Sequence, residues 1–303
     1  MEQGQGAGPI LVVGNAVLDI ILTVDHYPAE DEEMRASARR LAVGGNAANT
    51  AQVLAGLGHR VSLLATLATD AEAQALAEGL RTAGVDCRWL VRCRRGQTPL
   101  SYILLNAAHG TRTIVHHRDL DELTLADFQA LPLETYAWIH FEGRNVDRVG
   151  DMLRHLRAIG YSGRVSLEIE KPRPGLDALM PLADLLLLSR PYAEARGHRS
   201  AASLLDAMGA RLPDAAMTCT WGDAGAWARD AQGRILHAAA QVPPRVVDTV
   251  GAGDVFNAGM IHALLAGREL PTALQAASRL AGQKVGVTGL KGLADPLNPP
   301  AAA

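Results

Sequence analysis

Short apolar runs alternate along this chain with stretches whose apolar positions recur every three or four residues. The runs Ile10–Val13, Val17–Val24, Val61–Ala65, Ala137–Phe141, Val165–Ile169, Leu185–Leu188 and Ala216–Thr220 are strand-sized. Helical spacing fills Asn46–Leu57, Ala71–Ala83, Val146–Ile159 and Pro191–Met208, and predicts two late helices at Ala252–Leu265 and Pro271–Val285. Strands alternating with helices predict an α/β fold: a doubly wound, mostly parallel sheet with helices on both faces.

One region breaks the alternation. Pro99–His117 reads as a hairpin, with Ala107-Ala108-His109-Gly110 turning between Ser101–Asn106 and Thr111–His117. Together with Thr23–Val43 it forms either a small extra sheet or an edge extension of the main one. No repeat divides the 303 residues, so one domain over 1–303 is expected, with segments near 17–44 and 97–119 inserted in it. The end of the chain, from residue 294 on, is rich in proline and alanine and is expected to fray.

Composition narrows the function. With 48% apolar and 20% charged residues the chain can bury a large core without a disulfide or a structural metal, and disorder is excluded for most of its length. Lys+Arg number 29 against Asp+Glu 32, a formal charge of -3 that gives no support to a nucleic-acid partner. The apolar stretch Ile10–Val24 is interrupted by Asn15, Asp19 and Thr23, and so fits neither a signal peptide nor a membrane helix. Cys87, Cys93 and Cys219 make no disulfide framework. A cytoplasmic protein with no membrane partner is expected.

The strongest chemical signal is Asp248-Thr249-Val250-Gly251-Ala252-Gly253-Asp254, followed by an apolar helix. Two glycines let the chain turn tightly into that helix, so several backbone N–H groups are left unpaired and, with the helix dipole, can hold an anion. Asp254 in the first turn would repel a phosphate. As a base, it would instead take a proton from a hydroxyl that attacks one. The alternative is an ordinary capped helix start. A dinucleotide fingerprint would need a third glycine where Phe256 stands, and none of Lys171, Lys284 and Lys291 follows a glycine as a Walker loop requires.

A second glycine turn, Gly44-Gly45-Asn46-Ala47-Ala48-Asn49, opens another helix and sets Asn46 and Asn49 on one face of its first turn. Amides offer both donors and acceptors, which suits a polyol, and Asp19 inside an apolar strand could accept two sugar hydroxyls. Each has a plainer reading as a cap or a satisfied buried acid. Arg112, after the hairpin turn, could reach a phosphate as a planar fork of donors, or simply be solvated. The ten histidines form no metal-binding spacing.

These residues resemble the two signatures of the ribokinase-type carbohydrate kinases, and more closely the ketohexokinase-like branch of that family. Val17-Leu18-Asp19, Tyr27-Pro28, Trp138-Ile139-His140, Glu142-Gly143-Arg144-Asn145, Glu170-Lys171-Pro172-Arg173, Pro243–Thr249 and Ala281-Gly282-Gln283-Lys284 extend the likeness over residues 9–293. The resemblance implies a ribokinase-like αβα sandwich with a small β-sheet lid. It also implies ATP-dependent phosphorylation of a sugar, a ketohexose such as fructose foremost, with Asp254 as base and Gly251, Ala252 and Gly253 as the anion hole. Asp19, Gly45, Asn46 and Asn49 would hold the sugar, and Arg112 with Gly222-Asp223-Ala224-Gly225 would line the nucleotide. Asp31 would reach across a homodimer joined through the lids. Mg2+ is implied with the ATP, its protein ligands left unassigned, because Ser189-Arg190-Pro191-Tyr192 replaces the Asn-x-x-Glu stretch of many relatives. Ala224 stands where an acid is usual in the nucleotide turn. A monovalent cation such as K+ near Asp248 is left open. The rivals are the same chemistry on another sugar or a nucleoside, and a catalytically silent binder on this fold.

Overall fold

The computed structural model describes residues 8–213 and 215–298. The chain begins with β1 (Ile10–Val13), β2 (Val17–Val24) and β3 (Ala38–Gly44), then α1 (Asn46–Gly56), β4 (Val61–Leu67), α2 (Ala71–Thr82) and β5 (Leu90–Arg92). The hairpin β6 (Leu100–Asn106) and β7 (Arg112–His117) follows, then α3 (Leu125–Gln129), β8 (Trp138–Glu142), α4 (Val146–Ala158) and β9 (Arg164–Ile169). The remainder is β10 (Leu185–Ser189), α5 (Arg190–Ala195), α6 (Ala201–Gly209), β11 (Ala216–Thr220), β12 (Ala226–Arg229), β13 (Ile235–Ala238), α7 (Ala252–Leu265) and α8 (Leu270–Val285).

Nine strands form one sheet in the order β13-β12-β11-β10-β9-β8-β1-β4-β5. It is parallel from β5 to β11; β12 pairs antiparallel with both β11 and β13 and is the one strand that runs against the others. The central strands are apolar on both faces because both are covered. Ile10 and Val12 of β1 join a core with α1, α2, α7 and α8, while Leu11 and Val13 join a second core with α3 to α6. This is the doubly wound α/β sandwich expected from the alternation.

The other four strands, ordered β3-β2-β6-β7, pair only with one another, so the separate small sheet is realised and the edge extension is not. Its members come from the two segments 17–44 and 97–119. One face packs toward the sandwich through Ile21 and Ile103, both buried. Leu41, Tyr102 and Val115 share one register row on the other face and are 50%, 46% and 64% exposed.

Two local expectations need correction. The helix predicted over Pro191–Met208 is two helices, because Gly197 adopts φ 82 after α5 and Ser200 then caps α6 by accepting from the Ser203 N–H. The chain end does not fray from residue 294. Ala294 donates its N–H to Gln283 Oε1, Asp295 meets His262 at 3.1 Å, and Arg279 binds the Pro296 carbonyl. Residues 299–303 of the expected tail lie outside the described residues.

Candidate active site

Strands of a parallel sheet leave an open edge at their carboxyl ends, and ligands of α/β folds bind there. In this chain β8, β9 and β11 end at that edge in Glu142, in Glu170 one residue past the strand, and in the turn Gly222-Asp223-Ala224-Gly225. The glycine turns into α1 and α7 and the small sheet close over it.

Gly45, the residue before α1, has φ 91 and sits so close to the Asn15 carbonyl (a Cβ would come within 2.6 Å) that only glycine fits. The turn thereby brings Asn46 and Asn49 to the edge on the first turn of α1. Gly44 leaves room for the Asp19 carboxyl, which a Cβ there would overlap.

Gly251 enters α7 at φ 80, in the left-handed region. The N–H groups of Gly251 and Gly253 have no acceptor among the described residues, and a Cβ on Gly253 would meet nothing within 4 Å. That face of the helix start is open to an anion. Ala252 fits the expected anion hole less well, because its N–H is turned back toward the Thr249 carbonyl at 3.4 Å.

Asp254 lies one residue on, 6% exposed, and accepts a hydrogen bond from Asn49 Nδ2 at 2.7 Å. The two glycine turns, 205 residues apart in sequence, are joined by this bond. Burial pushes the Asp254 carboxyl well above the usual carboxylate range. The Asn49 donor opposes the shift and does not cancel it, while Glu170, Glu142 and Asp19 add to it. A carboxylate raised in this way takes up a proton more readily than one in water, as proton abstraction requires.

Asp19 is buried beside Ser101 and is pushed up to about 6 by burial, against the Ser101 hydrogen bond and the nearby Arg40. Asp19, Asn49, Arg40 and Asp248 line a cavity of about 490 Å³ between the small sheet, α1, α2 and the loop after α8. Asn46 faces a different crevice. Its Nδ2 donates to Glu168 Oε1 at 3.1 Å and to Glu170 Oε2 at 3.4 Å.

Glu168 is 5% exposed, its Oε2 has no partner, and burial together with the charges of Asp254, Glu142 and Glu170 raises its carboxyl strongly. Glu142 is held by the Asn15 N–H at 2.8 Å. Sequence reasoning assigned these acids no role. The signal was nevertheless there, since Glu168 interrupts an apolar strand as Asp19 does.

Arg112 reaches the loop before α7, donating to Thr249 Oγ1 at 2.7 Å, and so stands beside the anion turn while remaining exposed. The turn 222–225 lies along the same edge and is exposed at Gly222, Asp223 and Ala224. Gly225 is buried at φ 99 against the Ala238 carbonyl. Asp31 is not brought to the site. It is exposed at the tip between β2 and β3, shares no hydrogen bond with the other candidates, and is the one non-glycine residue at positive φ (62) among the described residues.

Asp248 lies between these regions and is almost completely enclosed. Lys284 Nζ, with no exposed side-chain surface, donates to the Asp248 carbonyl at 2.7 Å and lies 3.3 Å from its Oδ2, and Arg40 approaches the same oxygen at 3.2 Å. The N–H groups of Val250 and Gly289 complete the shell at 2.9 and 3.1 Å. Lys284 was missed as a functional candidate, although it continues the buried stripe of Ala273, Ala277 and Leu280 on α8.

A carboxylate able to take a proton, set beside a helix start able to hold phosphate, is the arrangement of an enzyme that moves phosphoryl groups. The pattern of the pfkB family carbohydrate kinases matches residues 9–295, and the chain belongs to that family. It is 37% identical over 301 residues to the ketohexokinase of Mus musculus, covering 97% of this chain and 100% of the mouse protein. It is 25% identical over 296 residues to an ATP-dependent ribose-1-phosphate kinase of Halopiger xanaduensis, covering 93% of each. A putative ribokinase from Agrobacterium tumefaciens superposes with a TM-score of 0.84 at 23% identity, over 96% of both chains. Arabidopsis thaliana ribokinase complexed with ribose and ATP gives 0.78 at 20% identity, over 96% of this chain and 97% of that one. These structures establish the fold. The family makes this chain a phosphotransferase with an alcohol group as acceptor.

Proposed function

We propose that the chain transfers the γ-phosphoryl group of ATP to the 1-hydroxyl of a ketohexose, fructose foremost. The observation that carries the reading is the Asp254 carboxyl, buried without a countercharge, tied to the glycine turn of α1 and placed one residue past an open helix N-terminus. The full-length likeness to a ketohexokinase supports the choice of sugar.

In this mechanism Asp254 accepts the hydroxyl proton as the oxygen attacks the γ-phosphorus, and the bond to the leaving ADP breaks on the opposite side. The Gly251 and Gly253 N–H groups and the positive end of α7 meet the charge that develops, and Ala252 contributes less because Thr249 competes for its N–H. Asp19, Gly45 and Asn49 hold the sugar so that one hydroxyl faces Asp254, and Asn46 joins them by turning away from Glu168 and Glu170. Arg112 and the turn 222–225 receive the nucleotide, with Ala224 leaving that turn without its usual acid.

Mg2+, when bound, neutralises charge on the phosphates. Among the described residues no three His, Cys, Asp or Glu side chains converge on one ion, so it would travel with ATP. Glu170 and the unpartnered oxygen of Glu168 are suited to hold water around it.

Product analysis is the direct test. With Mg-ATP and fructose, tagatose, ribose, glucose or adenosine in parallel, kcat/KM should be highest for fructose and NMR should place the phosphate on carbon 1. A preference for ribose or adenosine would move the chain to another member activity of the family. Binding without ADP release from any acceptor would make it a silent binder.

The same reading includes a homodimer through the lids, with Leu41, Tyr102 and Val115 of each small sheet covered by the partner and Asp31 completing the partner's sugar site. Mixing Asp31→Asn with Asp254→Asn subunits should then restore up to about a quarter of wild-type sites. No recovery despite proven subunit exchange would remove the proposal. The three free cysteines support a cytoplasmic location.

A further inference from the structure

The monovalent metal that the sequence resemblance left open at Asp248 does not fit there, because a side chain of this chain already fills the position. Three oxygens converge on Lys284 Nζ: the Asp248 carbonyl at 2.7 Å, the Asp248 carboxylate at 3.3 Å and the Val287 carbonyl at 3.4 Å. An ammonium has three protons and no acceptor, and this shell offers one partner for each. Lys284 is completely buried and Asp248 is 2% exposed, so neither charge has water to fall back on.

The bonds tie together two loops that are otherwise remote. Val247 and Asp248 donate their N–H groups to the Val285 carbonyl at the end of α8, and Gly289 donates back to Asp248 Oδ2. Asp248 in turn accepts from the Val250 N–H, one residue before the left-handed Gly251. The path from the ammonium to the anion turn is therefore two residues long and hydrogen-bonded at each end.

We infer that Lys284 is a built-in cation that holds the phosphate-binding turn in position, and that this enzyme needs no monovalent metal for turnover. Lys284 touches neither substrate nor reacting atoms; it is a positioning residue acting through Asp248. The inference rests on the proposed use of the Gly251–Gly253 turn in phosphoryl transfer. The Lys284 ammonium, with three oxygen partners, and the Arg40 guanidinium, 3.2 Å from Asp248 Oδ2, already bring two positive charges to this carboxylate and leave no place for a metal cation among the same oxygens.

The test needs three arms. Wild-type turnover should be the same in potassium, sodium and tetramethylammonium buffers, and strong activation by K+ would overturn the inference. Lys284→Ala removes the charge and opens a hole of ionic size; turnover should fall about tenfold or more with a smaller change in KM, the scale of a misplaced reacting group. Ammonium or K+, but not tetramethylammonium, should then restore part of the rate and raise the melting temperature of this variant while leaving that of the wild type unchanged. Lys284→Met fills the space without charge and should be impaired and unresponsive to every cation.

Full turnover in Lys284→Met, or a folded Lys284→Ala that responds to no cation in rate or melting temperature, would overturn the proposal. If Lys284→Ala does not fold, the wild-type and Lys284→Met arms still decide it. If the wild type phosphorylates no sugar, the functional reading fails separately, and the melting arm still reports on the cation position.

Discussion

Asp248 and Asp254 lie six residues apart, the first in the loop before α7 and the second in the first turn of that helix; both are buried, and their surroundings are opposite. Around Asp248 burial alone would raise the carboxyl, but the Gly289 and Val250 N–H groups and the Lys284 ammonium outweigh it and hold the group below the usual carboxylate range. Around Asp254 burial acts almost unopposed, with a single amide from Asn49 against three further acids, and the carboxyl is pushed far up. The first environment stabilises a charge, as a structural anchor does. The second leaves the group ready to accept a proton, as a base does. Two carboxyls driven apart in this way are a recurring sign of which one does the chemistry.

Substitution should separate the two most sharply in turnover. Asp254→Asn keeps the shape and the Asn49 contact while removing the base, so kcat should drop about 10²-fold or more with sugar binding changed little. Near-normal turnover would take the role of base away from Asp254.

Stability should answer in the reverse order. Asp248→Asn leaves the buried Lys284 ammonium without its countercharge and should cost about 3–5 kcal/mol in denaturant unfolding. Asp254→Asn removes an uncompensated carboxyl and should leave stability unchanged or higher at neutral pH. If both variants lose stability equally, the contrast between the two environments is wrong.

A smaller effect belongs to Asp19. Its carboxyl titrates at about 6 in the fold against 3.8 for a free aspartate, so the native state holds the extra proton between those values. The stability of the unliganded protein should therefore fall as pH rises through that window, and the fall should be shallower in Asp19→Asn, where the raised carboxyls of Asp254 and Glu168 remain. Urea midpoints taken across the window for both proteins would show it. A rise in place of the fall would mean that Asp19 has found a partner charge.

Much of this was legible in the sequence because local chemistry and tertiary role coincide. The parallel sheet follows from strands apolar on both faces, and the two glycine turns are readable because only glycine tolerates the φ values at Gly45 and Gly251. Short edge elements were missed. β5 has three residues, and β12 and β13 have four each, too few to show a period. Asn49 and Asp254 were found separately, but their bond spans 205 residues and is a product of packing α1 against α7. Lys284 and Glu168 escaped for another reason. A lone charge in an apolar pattern signals a partner, as at Asp19, but does not say which one; the fold supplies it for Lys284 and, for Glu168 Oε2, withholds it.

The most direct test of the opposition between the two aspartates is to titrate both in one protein. Wild-type enzyme labelled with ¹³C at the aspartate side-chain carboxyls can be followed by NMR from acid to neutral pH, with Asp248 and Asp254 assigned through backbone correlations. Asp254 should change its chemical shift well above the ordinary carboxylate pKa of about 4, and Asp248 below it. An Asp254 signal that titrates at or below that value, or an Asp248 signal above it, would contradict the account.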